Sequence, residues 1–110
     1  IGFPTANLEI DGRKFLPGLG VYTAWTFIEK FKDKIPSIMN LGPQPTIDPL
    51  SPSAVEVHLI DQNINLYDLN LTIQPIKKIR SQIKFSSINE LSEQIYRDRN
   101  MAKEIFNNIE

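Results

Sequence analysis

Alternation is clearest from Ala54 to Asp61, where Val55, Val57 and Leu59 fall on one side and Glu56, His58 and Ile60 on the other. Period two of this kind predicts a strand with one side turned to a core. A second strand is expected over Val21 to Ile28, a run of β-branched and aromatic residues that follows the turn signal Pro17-Gly18-Leu19-Gly20. Lys32-Asp33-Lys34 supplies a polar hairpin loop, and Ile35 to Leu41 a returning strand. The stretch from Gly42 to Ser53 carries Pro43, Pro45, Pro49 and Pro52 and reads as a loop, because proline has no N–H for a ladder. Beyond the polar tip Asp61-Gln62-Asn63, Leu66-Tyr67 lead into a strand over Leu69 to Ile79, with Pro75 marking an edge or a bulge. Five or six strands result.

From Ser87 the period changes. Ser87 with Glu90 three residues on forms a capping box, and Ile88, Leu91, Ile95, Ala102, Ile105 and Ile109 recur near the helical repeat. One C-terminal helix of about 20 residues is expected, its apolar stripe packed on the sheet. Many short strands and a single helix imply a mainly β fold, an antiparallel sheet closed into a small barrel.

Composition narrows the class. The chain of 110 residues, 41% hydrophobic, fits one domain with an ordinary core. Twelve basic and thirteen acidic residues give a net charge of −1, so the basic excess that draws a protein to nucleic acid or an anionic membrane is missing. The chain contains no cysteine, which removes disulfides, a thiol nucleophile and thiolate zinc ligands and is compatible with the cytoplasm. No apolar run approaches the roughly 18 residues needed to cross a bilayer. Ile1 falls inside a motif, so a fragment of a longer protein is expected, truncated at its N-terminus.

Oxygen chemistry concentrates in Gly2-Phe3-Pro4-Thr5-Ala6-Asn7-Leu8. Pro4 favours an extended segment in which Thr5 and Asn7, two apart, point the same way, and neutral hard oxygens of this type suit Mg²⁺. Taken alone, a Pro-Thr turn explains the pair more simply. Glu56 is mid-strand between Val55 and Val57, where a carboxylate needs a partner or a task, and general base is one such task; a solvated edge residue is the alternative. His58 shares its face, and a lone strand histidine is more often packed than catalytic. Lys77, Lys78, Arg80 and Lys84 form a basic cluster, of which Arg80, with its planar fork, is the most open to a phosphate or a ring. Gly18 and Gly20 fit turns, or a close approach to phosphate. Trp25 and Phe27 read as core, whereas Tyr67 could stack on a base or cap the barrel. P-loop, dinucleotide-binding and protein-kinase signatures are absent from the sequence.

One ordered series ties these pieces together: Gly2 to Leu8, Gly20-Val21-Tyr22, Asn40-Leu41-Gly42 with Pro45-Thr46, Val55 to Asp61, Leu66-Tyr67, and Ile79-Arg80 through Lys84-Phe85. The series resembles riboflavin kinase, in bacteria the C-terminal module of the bifunctional riboflavin kinase/FAD synthetase, over nearly the whole of residues 1–110. The resemblance implies a six-stranded antiparallel Greek-key barrel with one C-terminal α-helix. It further implies transfer of the γ-phosphoryl of ATP to riboflavin, giving FMN and ADP, in an enzyme of the cytoplasm. By position, Thr5 and Asn7 match the family's Mg²⁺ ligands and Glu56 its catalytic base; Mn²⁺ and Zn²⁺ are left open as alternative ions. Pro4, His58, Leu59 and Tyr67 match the nucleotide side, and Arg80 and Phe85 the segment over the flavin. An adenylyltransferase domain is expected in the same full-length chain, and neither nucleic acid nor membrane as a partner. Two positions depart from the pattern: Asp68 stands where glycine is usual, and Gln82 where glutamate is frequent. Two other readings are a non-catalytic flavin- or nucleotide-binding module on the same barrel and an oligonucleotide-binding barrel, the latter opposed by the charge balance.

Overall fold

The computed structural model describes residues 7–42 and 55–109. Among them, β1 (Asn7–Ile10), β2 (Gly20–Ile28), β3 (Ile35–Leu41), β4 (Val55–Leu59) and β5 (Asn70–Arg80) precede one helix, α1 (Ile88–Ile109). The strands form a single curled sheet in the order β1-β5-β2-β3-β4. A mainly β chain with a C-terminal helix was expected; the strand directions differ in part. β1 runs parallel to β5, from Asn7 opposite Asn70 to Ile10 opposite Ile73, whereas the other three pairings are antiparallel. Periodicity reports which way side chains face and carries no information on partner direction, so this parallel edge was hidden. A sixth strand is not present among the described residues. Most of the proline-rich stretch and the Pro4-Thr5 segment lie outside them.

Local sequence explains the connections. Lys30, at φ 71, turns β2 back into β3, and the Phe31 N–H closes the turn on the Ile28 carbonyl at 3.0 Å. β5 carries two register shifts against β2, one between Thr23 and Ala24, paired with Lys77 and Pro75, and one between Val21 and Tyr22, paired with Arg80 and Lys78. The first accommodates Pro75 as a bulge, and each adds twist. Asp68, at φ 59, adopts the left-handed conformation that glycine takes without strain and that aspartate tolerates better than most residues.

Alternate residues of each strand face two different environments. On the inner side Tyr22 and Ala24 of β2, Met39 of β3, and Leu71 and Ile73 of β5 form one buried cluster. Two hydroxyls sit on this face without penalty: Thr26 donates to Ser37 Oγ at 2.7 Å, and Ser37 donates to the Ile35 carbonyl at 2.9 Å. Burial pushes the Tyr22 phenol pKa up, and its hydroxyl donates to the Gly18 carbonyl.

The outer side is covered by α1 over part of its extent. Trp25, Ile60, Ala102 and Phe106 cluster there, with the Trp25 and Phe106 rings 4.7 Å apart at 58°. A tilted aromatic pair of this kind adds about 0.5–1.5 kcal/mol to the burial itself. Phe27, on the same face as Trp25, is 42% exposed and so is not core as expected, because it lies beyond what Phe106 covers. The helix stripe differs as well. α1 buries Asp98, Ala102 and Phe106, whereas Ile88 is 80% and Ile95 52% exposed. Only the C-terminal half of α1 docks; its first half stands away from the sheet. At its start the Glu90 N–H donates to Ser87 Oγ, and the Glu90 carboxylate accepts from the Ser86 N–H, each at 3.1 Å. That second bond falls one residue earlier than a standard capping box and holds the Glu90 carboxyl below its ordinary pKa.

Candidate functional site

Where the first half of α1 stands away from the sheet, a cavity of about 580 Å³ opens between them, within the size range of small-molecule sites. Its floor is one row of residues crossing four strands. Glu56 on β4 pairs with Asn40 on β3, Asn40 with Val21 on β2, and Val21 with Arg80 on β5. Three interstrand steps make this row roughly 14 Å long, with a carboxylate at one end and a guanidinium at the other. All four residues line the cavity. Its apolar wall comes from Ile83 and Phe85, ahead of the helix, and from Leu91 and Ile95 on it. Leu91 and Ile95, two apolar helix positions that do not reach the core, are therefore part of the cavity wall.

At the Glu56 end, His58 Nε2 lies 3.9 Å from Glu56 Oε2, and both side chains are largely open to solvent. Such a contact contributes little to stability and leaves the carboxylate accessible. Asn40 Oδ1 accepts from the Gln82 amide, which also donates to the Leu41 carbonyl at 3.2 Å. Gln82 thus ties the segment after β5 to the middle of the row. At the rim Asp61 pairs with Arg99 and with Lys103, the latter at 2.9 Å. Hydrogen bonds from Arg99 first, then Lys103, hold its carboxyl below the ordinary aspartate pKa.

At the opposite end Arg80 is held by a buried carboxylate. Nε donates to Asp98 Oδ1 and Oδ2 at 2.9 and 3.1 Å, Nη2 to Oδ2 at 2.7 Å, and Nη1 to the Ser81 carbonyl at 3.1 Å. Gln94, one turn before Asp98 on α1, donates to Oδ1 at 3.0 Å. Backbone packing at this point depends on Gly20, since a Cβ there would sit 2.5 Å from the Arg80 carbonyl oxygen. The close approach at Gly20 is thus to a neighbouring strand.

The structure brings Glu56, His58, Leu59, Arg80 and Phe85 together around one cavity. Tyr67 is 58% exposed and does not line it. Asn7 begins β1, at the sheet edge opposite Glu56, while Pro4 and Thr5 lie outside the described residues. Lys77 is exposed, and Lys78 reaches the Pro17 carbonyl at 3.4 Å; neither lines the cavity. Among the described residues no group of three His, Cys, Asp or Glu side chains could hold a metal. Of the carboxylates in the cavity, Asp61 and Asp98 are committed to cations.

Asp98 was missed in the sequence, although a signal existed. Leu91, Ile95, Asp98 and Ala102 follow helical spacing, and a carboxylate within such a stripe calls for a buried partner.

Comparison with known proteins bears on the family and the fold. The Flavokinase family, riboflavin kinase, matches residues 1–106. The bifunctional riboflavin kinase/FMN adenylyltransferase of Escherichia coli (strain K12) is 38% identical over 106 residues, 96% of this chain and 33% of that protein. The Bacillus subtilis (strain 168) protein of the same name is 35% identical over 111 residues, 99% of this chain and 34% of the relative. The chain therefore spans about a third of the length of these curated relatives. Among solved structures, a macrolide-efflux protein from Streptococcus pneumoniae has a TM-score of 0.71 at 25% identity, covering 80% of this chain and 28% of that one. No helix among the described residues is long and apolar enough to cross a membrane. With the family match running from residue 1 to residue 106, the chain belongs to the riboflavin kinase family.

Proposed function

We propose that this chain transfers the γ-phosphoryl group of ATP to the terminal ribityl hydroxyl of riboflavin, releasing FMN and ADP. The observation that carries the reading is the single row with Glu56 at one end and an apolar-walled pocket bearing Arg80 and Phe85 at the other. A flat ring fits against Phe85, Leu91 and Ile95, and its side chain runs along the row to the carboxylate. Glu56 accepts the hydroxyl proton as that oxygen bonds to the γ-phosphorus and the bond to the bridging oxygen of ADP breaks. His58 and Leu59, beside Glu56, and Pro4 and Tyr67 serve the nucleotide side. Thr5 and Asn7 hold the divalent ion, Mg²⁺ in this reading, which when bound neutralises phosphate charge. Phosphoryl transfer asks the protein mainly for orientation and electrostatics, which fits a site whose carboxylates, among the described residues, include one, Glu56, not paired with an arginine or a lysine.

The same reading includes completion of the sheet as a six-stranded Greek-key barrel, and an adenylyltransferase domain in the full protein, as in the names of the relatives. An ATP-dependent step of this type belongs in the cytoplasm. Glu56→Gln in the full-length protein is the direct test. Turnover of riboflavin to FMN is expected to fall by about 10²–10⁴-fold, the usual contribution of a general base, with riboflavin affinity and Tm near the parent values. Turnover near the parent rate would reject Glu56 as the base. Riboflavin binding without turnover in the parent would favour a non-catalytic flavin module.

A further inference from the structure

We propose that Asp98 is a positioning residue for flavin recognition: it orients the Arg80 guanidinium so that the remaining N–H groups meet acceptors on an uncharged ring. The inference rests on the flavin reading above. Asp98 is 5% exposed, in the middle of α1, and its carboxylate engages Arg80 through both Nε and Nη2. Gln94 steadies the carboxylate from the preceding turn, and the Ser81 carbonyl takes one Nη1 hydrogen. A guanidinium has five N–H donors in a rigid plane. Nε–H, one Nη2–H and one Nη1–H are committed within the protein, leaving one hydrogen on each of Nη1 and Nη2 in a side chain that lines the cavity.

Charge decides what those hydrogens recognise. An isolated arginine would favour a phosphate, whereas an arginine neutralised by a buried carboxylate presents directed donors with little net charge. Carbonyl and ring-nitrogen acceptors of a neutral heterocycle match that surface. The phosphorylated end of the ligand is then left to the Glu56 end, roughly 14 Å away along the row. Asp98 itself contacts Arg80 rather than acting on the reacting atoms.

Asp98→Asn keeps the shape and one acceptor while removing the charge and the bidentate grip. In the full-length protein, fluorescence titration with riboflavin is expected to show Kd raised about tenfold, the scale of one hydrogen bond to a charged group. Steady-state assays should show KM for riboflavin raised alike, with kcat and KM for ATP near the parent values. Arg80→Lys should weaken riboflavin to a similar degree, and the double variant should be no weaker than either single one, because both lose the same oriented donors. Unchanged riboflavin affinity in folded Asp98→Asn, or equal losses for riboflavin and ATP, would overturn the proposal while leaving the kinase reading intact. If Asp98→Asn fails to fold, unchanged affinity in Arg80→Lys overturns it instead. Absence of riboflavin binding by the parent would overturn the flavin reading, and this assignment with it.

Discussion

The inner and outer faces of the sheet are built from alternating residues of the same strands, and they end in opposite states. Met39 faces inward and is fully buried, while its neighbours Ile38 and Asn40 face outward and line the cavity. Val57 packs against the inner core, while Glu56 and His58 on either side of it stand in the open site. The inner face is closed by the curl of the sheet itself. The outer face depends on one helix that docks by its second half, so its other half remains available to a ligand. A period-two strand thus separates stability from recognition residue by residue.

Substitutions on the two faces should therefore fail differently. Met39→Ala is expected to cost the most, about 2–5 kcal/mol of stability, read as a lower denaturant midpoint with riboflavin affinity of the folded fraction retained. A loss of affinity without loss of stability would break the comparison. Gly20→Ala places a methyl 2.5 Å from the Arg80 carbonyl oxygen. It should cost about 1–3 kcal/mol by overpacking and also weaken riboflavin binding, because it moves the strand that carries Arg80. Ile95→Ala, on the cavity wall, should change unfolding free energy by only about 0.5 kcal/mol while weakening riboflavin several-fold. Equal effects on both quantities would show that the first half of α1 contributes to the core after all.

The smallest effect concerns the rim. The Asp61 carboxyl has its pKa lowered in the folded state by Arg99 and Lys103, so the stability it adds is complete above its unfolded value near 3.8 and is lost as pH falls through the folded value. Tm should decline in that acid range, and Asp61→Asn should flatten part of the decline. Glu29, held low by the Asn70 N–H groups, and Glu90, held low by Ser86, account for further parts.

The sequence made the strands legible because alternation and turn residues are local. The strand Ile35–Leu41 has the bounds its pattern indicates, and the irregularity that Pro75 signals is the register shift against β2. What escaped depends on distant partners. The parallel pairing of β1 with β5 leaves no trace in either strand, and the helix stripe indicated an apolar face without saying that half of it would border a cavity. Sequence points to Glu56, His58, Arg80 and Phe85 one at a time, and the row through Asn40 and Val21 that joins two of them exists only once the register is known. Asp98 was overlooked because its reason for burial, Arg80, belongs to another element.

The parallel edge also bears on how the chain is made. Asn7 meets its ladder partner only at Asn70, so β1 leaves the ribosome long before β5 exists. At elongation rates of about 5–20 residues per second, that delay amounts to several seconds. Contacts so distant in sequence slow folding, because a large loop must close before they stabilise anything. The β2–β3 hairpin can form meanwhile from local contacts, while β1, whose first residue Asn7 is one of the proposed metal ligands, is among the last pieces to be fixed in place.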